Sequence, residues 1–272
     1  MVRPGRSARC RGCKGCGVNI LAIETATIEV GVAVADENGP VAAFSVRARR
    51  RHAESLHPAV ETVLSAAGVG LADVNAIAVD IGPGLFTGIR VGVAAAKGYA
   101  MALGIPIVAL TSLEILRAAC AAAGVGDSAG LDRRATVIGV VDLRRGEVAW
   151  SFPPGPGGGG QPAHGAPAEL AAKLAGYLGD AAGPEQVVLA GDGAIRYRAV
   201  LADGQDVHAG RVTIAGPELA APPVASLAVQ AVIQWAGGRA LDPAEVRPAY
   251  LRDADTRINW STRHDAPGLV RD

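Results

Sequence analysis

The sequence predicts a two-domain α/β protein in which a mixed sheet with crossover helices, laid out as βββαβαβα, is built twice. Three observations predict it. The chain has 272 residues, long for one domain and enough for two hydrophobic cores. Half of the residues are apolar and 19% are charged, which excludes a disordered chain. The apolar segments open with three strand-like runs, continue as alternating helical and strand-like ones, and then repeat that order in a shorter form. Aromatic residues make up only 4%, so Ala, Val and Gly fill the core and elements can pack closely.

Ile20–Glu24 is an apolar run that reads as a buried strand, and Ile28–Ala35 as a second. Asp36-Glu37-Asn38-Gly39 supplies an Asn-Gly turn, so Val41–Arg47 returns as the third strand. His52–Ala67 is a helix, with Leu56, Ala59, Val60, Val63 and Leu64 on one face. Val74–Val79 is the fourth strand. It leads through Gly82-Pro83-Gly84-Leu85-Phe86-Thr87-Gly88 into a helix from about Ile89 to Leu103. Ile105–Leu110 is the fifth strand, and Thr111-x-x-Glu114 is a capping box that opens a helix to about Ala123.

The second half repeats this plan in a degenerate form. Thr136–Asp142 is a buried strand, turned by Arg145-Gly146 into Glu147–Phe152. Residues 153–160, Pro-Pro-Gly-Pro-Gly-Gly-Gly-Gly, read as a flexible surface insertion; no helix follows, as a phosphate loop requires. Pro167–Leu178 is a helix with Pro at its start, Val187–Ala190 a strand ending in Gly191-Asp192-Gly193, and Val224–Trp235 the closing helix. From Arg247 the tail is polar and irregular. This is the strand plan of the actin-like ATPase (ribonuclease H-like) superfamily and not that of a dehydrogenase. It divides the chain into a disordered basic leader (1–17), a first actin-like domain (18–112), a second one carrying the Gly/Pro loop (113–220), and a closing helix with the C-terminal tail (221–272).

No apolar run reaches the roughly 18–20 residues of a membrane span, and the basic N-terminus lacks the apolar stretch of a signal peptide. A cytoplasmic protein is therefore expected. Residues 1–19 hold Arg3, Arg6, Arg9, Arg11 and Lys14 and no acid, leaving 21 basic against 26 acidic groups in the rest. That balance argues against strong direct nucleic-acid binding. Cys10, Cys13 and Cys16 form a Cys-x-x-Cys-x-x-Cys run without a fourth ligand nearby, so the leader reads as unstructured and no metal is expected. Val18 opens the first strand, and a valine codon can start translation; initiation there would omit the leader.

The Gly82–Gly88 loop has two chemical readings. It is a tight connection between strand and helix, or an anion loop in which Thr25, Thr27, Gly82, Gly84 and Thr87 line a nucleotide or phosphate, with Thr87 capping the helix. The helix that follows carries small residues in register. Gly88, Ile89, Gly92, Val93, Ala95, Ala96 and Tyr99 are the candidate intermolecular interface, since a helix apolar nearly all round needs cover on more than one side. His52 and His57 lie five residues apart, about 140° around a helix, too far for a zinc pair, and read as surface histidines. Arg47, Arg49, Arg50 and Arg51 read as a solvated basic edge. Glu24, followed by Thr25-Ala26-Thr27, stands where the ATPase superfamily has Asp and a glycine-bearing turn, and Asp142 has no glycine beside it; both weigh against ATP hydrolysis. No Gly-x-Ser-x-Gly, Walker loop or His-Glu-x-x-His occurs.

Four segments together resemble the TsaB family. Ile20–Thr27 is similar to its opening strand and Asp-Thr-Ala-Thr turn, with Glu24 as the departure. Gly82–Gly92 matches its Gly-Pro-Gly-Ser-Phe-Thr-Gly-Leu-Arg-x-Gly signature, with Leu85 in place of the small residue. Asp142 with Arg144, Arg145, Gly146, Glu147, Val148 and Trp150 looks like its Asp-Ala-Arg-x-Gly-Glu-Val-Tyr strand pair, and Pro248-Ala249-Tyr250-Leu251-Arg252 like its C-terminal Pro-x-Tyr-Leu-Arg. The resemblance implies a non-catalytic scaffold subunit of tRNA N6-threonylcarbamoyladenosine synthesis. Such a subunit binds the TsaD transferase through first-domain helices, with the ATPase TsaE joining, and needs no cofactor; a homodimer is conceivable in isolation. TsaD carries a His-x-x-x-His metal pair where this chain has Leu110-Thr111-Ser112-Leu113-Glu114. The rival readings are an actin-fold phosphotransferase and a homodimeric binding module using the same helix.

Overall fold

Two five-stranded sheets of one plan carry the fold. The computed structural model describes residues 17–48, 51–124, 135–155, 158–181, 183–203 and 210–251. The first sheet is built from β1 (Ile20–Glu24), β2 (Glu29–Asp36), β3 (Gly39–Arg47), β4 (Ala76–Asp80) and β5 (Ile107–Leu110), in the order β3-β2-β1-β4-β5. β1 pairs antiparallel with β2 and parallel with β4. The β2–β3 hairpin forms at the expected turn, where the Asp36 carboxylate accepts the Asn38 N–H at 2.7 Å and Gly39 has φ 124°. α1 (His52–Ala67) and α2 (Phe86–Leu103) cover one face; each ends at a glycine in the left-handed region, Gly68 and Gly104.

The second sheet repeats the order as β10-β7-β6-β11-β12, from β6 (Ala135–Arg144), β7 (Glu147–Ser151), β10 (Ala163–Gly165), β11 (Gln186–Ala190) and β12 (Val212–Ile214). α4 (Pro167–Gly179) and the short α5 (Asp192–Arg196) match α1 and α2 in position along the chain. The second half is therefore degenerate in element length and complete in topology. Two of its strands, β10 and β12, have no sequence signal because each is three residues long. The insertion at 153–160, read from the sequence as a flexible surface insertion, contains a small hairpin of β8 (Pro154–Gly155) and β9 (Gly158–Gly159).

The last helix of each unit covers the other unit's sheet. α3 (Ser112–Ala122), opened by the expected Thr111–Glu114 capping box, packs Leu113, Leu116, Ala119 and Cys120 on Val137, Val141, Val188 and Ala190 of the second sheet. α6 (Val224–Ala236) packs Leu227, Ala228 and Ala231 on Ile20, Ala22, Ala78 and Val108 of the first. A glycine on the covered sheet admits the first turn of each helix. A Cβ on Gly31 would lie 2.8 Å from the Val224 Cβ, and one on Gly139 3.0 Å from the Leu113 Cα. Three of the four cysteines and Arg252 lie outside the described residues. Cys120 is buried, and burial pushes its thiol up to about 11.

Candidate functional site

The carboxyl ends of β1 and β4 adjoin, as parallel neighbours in the sheet, and each ends in an acid. This is where open α/β sheets place ligands. Both carboxyl groups are buried. Glu24 accepts the Ala26 N–H at 2.7 Å and the Thr27 hydroxyl at 3.4 Å. Asp80 accepts the Gly82 N–H at 2.8 Å and the Ser112 hydroxyl at 2.8 Å on each oxygen. Burial raises Glu24 well above the usual carboxylate range, and the Asp80 carboxylate raises it further. Burial pushes Asp80 up to about 7, against the Gly82 and Ser112 hydrogen bonds that lower it.

The turn after β1 and the glycine loop after β4 are packed against one another. The Thr25 hydroxyl donates to the Gly88 carbonyl at 2.8 Å, and Leu85 N–H to the Ala26 carbonyl at 2.6 Å. A Cβ on Gly84 would strike the Ala26 carbonyl, one on Gly88 the Thr25 carbonyl, and one on Gly92 the Thr25 hydroxyl. Glycine is required at 84, 88 and 92 because another part of the chain's own backbone or side chains fills the space. Gly82 has φ 99°, a backbone region open mainly to glycine.

Several sequence expectations change here. Thr25 bonds the Gly88 carbonyl, Thr27 bonds Glu24, Gly84 packs on the Ala26 carbonyl, and Gly82 packs on Ile89 and the Ala249 carbonyl. Thr87 stands apart and exposed; α2 begins at Phe86, three residues before the expected start, so Thr87 lies inside the first turn and does not cap it. Of the interface candidates, Gly88, Ile89, Gly92, Val93 and Ala96 are buried in the first domain's core, while Ala95 and Tyr99 are half-buried. Close packing requires small residues on either kind of surface.

The outward face of α2 is the neighbouring strip. Val91 is half-buried, Ala94, Gly98 and Ala102 are exposed, and Met101 is 72% exposed. A Cβ on Gly98 would meet nothing within 4 Å. Beside this strip, the exposed His57 ring bonds the Tyr99 hydroxyl at 2.8 Å, joining α1 to α2. His52, expected on the surface, is buried and its Nε2 lies 2.8 Å from the Thr27 carbonyl. Its helix start is aimed at the turn after β1, which no local pattern reveals.

Part of the tail returns to the same site. Val246 is buried in the first core, Ala249 N–H donates to the Ile81 carbonyl at 2.8 Å, and the Arg90 Nε donates to the Tyr250 hydroxyl at 2.8 Å. The Arg90 guanidinium lies 3.7 Å over the Phe86 ring. In the second domain Asp142 ends the corresponding strand pair and is buried beneath Arg144 and Arg196. Among the described residues, no group of three or more His, Cys, Asp and Glu side chains is placed to hold a metal, and no helix is long and apolar enough to cross a membrane.

The family model for the tRNA N6-adenosine threonylcarbamoyltransferase TsaD matches residues 46–260. The Escherichia coli tRNA threonylcarbamoyladenosine biosynthesis protein TsaB is 35% identical over 134 residues, 49% of this chain and 54% of that protein. The Bacillus subtilis protein of the same name is 34% identical over 131 residues, 48% of this chain and 53% of that one. The chain thus spans about half the length of these curated relatives. YeaZ from Pseudomonas aeruginosa superposes with a TM-score of 0.65 at 28% identity, covering 86% of this chain and 100% of that structure. One five-stranded sheet plan is built twice, and with this sequence and structural likeness the chain belongs to the TsaB (YeaZ) family, within the reach of the TsaD family model.

Proposed function

We propose that this chain is a non-catalytic scaffold subunit of tRNA N6-threonylcarbamoyladenosine synthesis in the cytoplasm. It docks on the TsaD transferase through the outward face of α2, next to α1, and TsaE joins the pair. The observation that carries this reading is the strip of exposed Ala94, Gly98, Met101 and Ala102 beside half-buried Val91. Small side chains there let a partner helix approach closely, and Met101 supplies adaptable apolar area. The self-packed turns at Glu24 and Gly84 support a scaffold over a phosphotransferase, because the glycines that would admit a phosphate admit the Thr25 and Ala26 carbonyls.

The test is co-purification with the cognate TsaD and reconstituted tRNA modification, comparing the wild type with Gly98→Arg. The site at Gly98 is open, so the variant keeps its fold. It should lose TsaD binding by at least about tenfold, equivalent to about 1.4 kcal/mol, and lower modification in parallel. Unchanged binding by a folded Gly98→Arg would overturn the assigned face. A homodimer that persists in the presence of TsaD would favour the binding-module reading.

A further inference from the structure

Two guanidinium groups converge on one buried oxygen in the second domain. Arg144 Nη1 lies 2.8 Å and Arg196 Nη1 3.2 Å from Asp142 Oδ2. Asp142 is buried, whereas the Arg144 and Arg196 side chains are 42% and 56% exposed. The other Asp142 oxygen accepts the Arg144 N–H at 2.8 Å. Nearby, Asp192 is engaged by the Asp142 N–H at 2.9 Å, and Glu147 lies 4.0 Å from His164. One carboxylate thus serves two cations, and each guanidinium makes its described hydrogen bond to that carboxylate from Nη1, with the Arg196 guanidinium also 5.6 Å from the Tyr197 ring centroid. The remaining N–H groups of both forks lie on side chains partly open to solvent.

The backbone holds this arrangement under strain. Arg144 and Arg145 have φ of 67° and 55°, a left-handed conformation that costs a non-glycine residue about 1 kcal/mol or more. That turn places Arg144 over Asp142, opposite Arg196 from α5. The exposed Arg198 follows on the same segment.

We propose that Arg144 and Arg196 form a phosphate-binding pair, anchored from beneath by Asp142. A carboxylate has two oxygens and suits one fork; a phosphate has enough oxygens to accept from both. The phosphate comes either from an RNA backbone or from a small phosphorylated molecule. The site is independent of the partner face on α2 and of the scaffold reading.

The experiment uses the full chain at low salt. Fluorescence anisotropy follows a labelled single-stranded RNA, and calorimetry follows inorganic tripolyphosphate. Arg144 also neutralises buried Asp142, so its removal threatens the fold; Arg196→Gln and Arg196→Lys carry the test, with the exposed Arg239→Gln as control. Arg196→Gln should weaken whichever ligand binds at least about fivefold and reduce the salt slope by about one for RNA. Arg196→Lys should fall between, and Arg239→Gln should match the wild type. RNA binding that depends on Arg196 identifies the backbone as the source; tripolyphosphate binding alone that depends on it identifies a small ligand. Binding of neither probe, or a folded Arg196→Gln that binds like the wild type, overturns the proposal.

Discussion

Glu24 and Asp80 stand side by side at the ends of two parallel strands, and each turns its carboxyl group back onto the N–H two residues ahead, at Ala26 and Gly82. Each thereby fixes the turn that leaves its strand. The two turns meet, and the glycines of the second receive the carbonyls of the first.

Stability should fall as pH rises through neutrality. Burial lifts Asp80 from 3.8 to about 7 and raises Glu24 in the same direction. The folded chain therefore holds protons that the unfolded chain releases from about pH 4 upward. The contribution is complete below that pH and is lost as pH climbs through about 7. Glu29 and Glu114 face the pair and push the same way. Thermal unfolding should show a Tm at pH 8 roughly 5 °C or more below that at pH 5. Asp80→Asn should flatten the profile; a Tm that rises over this range contradicts the buried pair.

Two glycines of one helix should respond in opposite ways to the same substitution. Gly88→Ala drives a methyl into the Thr25 carbonyl and should cost about 3 kcal/mol in urea unfolding. Gly98→Ala enters open space on an exposed helix face and should stabilise by up to about 1 kcal/mol. Equal effects would mean that α2 is turned differently.

His52→Ala should destabilise by about 2 kcal/mol, because it leaves the Thr27 carbonyl without its side-chain partner inside the protein. His57→Ala, on the exposed side of the same helix, should cost well under 1 kcal/mol. Paired urea titrations distinguish the two.

Tyr250→Ala removes both the hydroxyl bonded to Arg90 and the ring 5.1 Å from Phe86. Loss of about 1 kcal/mol of local stability should speed hydrogen exchange at the Ala249 amide about fivefold. Exchange unchanged at Ala249 would show that Tyr250 does not hold the tail, which Val246 and the Ala249–Ile81 hydrogen bond then keep in place.

The first domain was legible because its strands are long and apolar and its punctuation is local. The Asn38-Gly39 turn, the Thr111–Glu114 box and the full span of His52–Ala67 all lie where periodicity and capping place them. Three-residue strands such as Val212–Ile214 carry too few residues to show a period and exist through pairing with β11. What approaches the glycines at 84, 88 and 92 is set by the meeting of two distant turns, which no local pattern shows. The buried position of His52 and the return of Tyr250 to Arg90 depend on the same tertiary contacts, 25 and 160 residues apart in sequence. In the second domain, no local pattern reveals the pairing of Asp142 with Arg196, which reaches it from 54 residues away.

The exchange of covering helices also orders events during synthesis. Chains fold from the N-terminus as they leave the ribosome, at roughly 5–20 residues per second. All five strands of the first sheet are made by Leu110, yet the helix that shields one of its faces is not complete until Ala236. For that interval Ala22, Ala78 and Val108 lack the neighbours Leu227, Ala228 and Ala231 that finally cover them. A nascent chain halted before Val224 would present a sticky apolar sheet to chaperones, and the last helix released acts as the lid that ends this exposure.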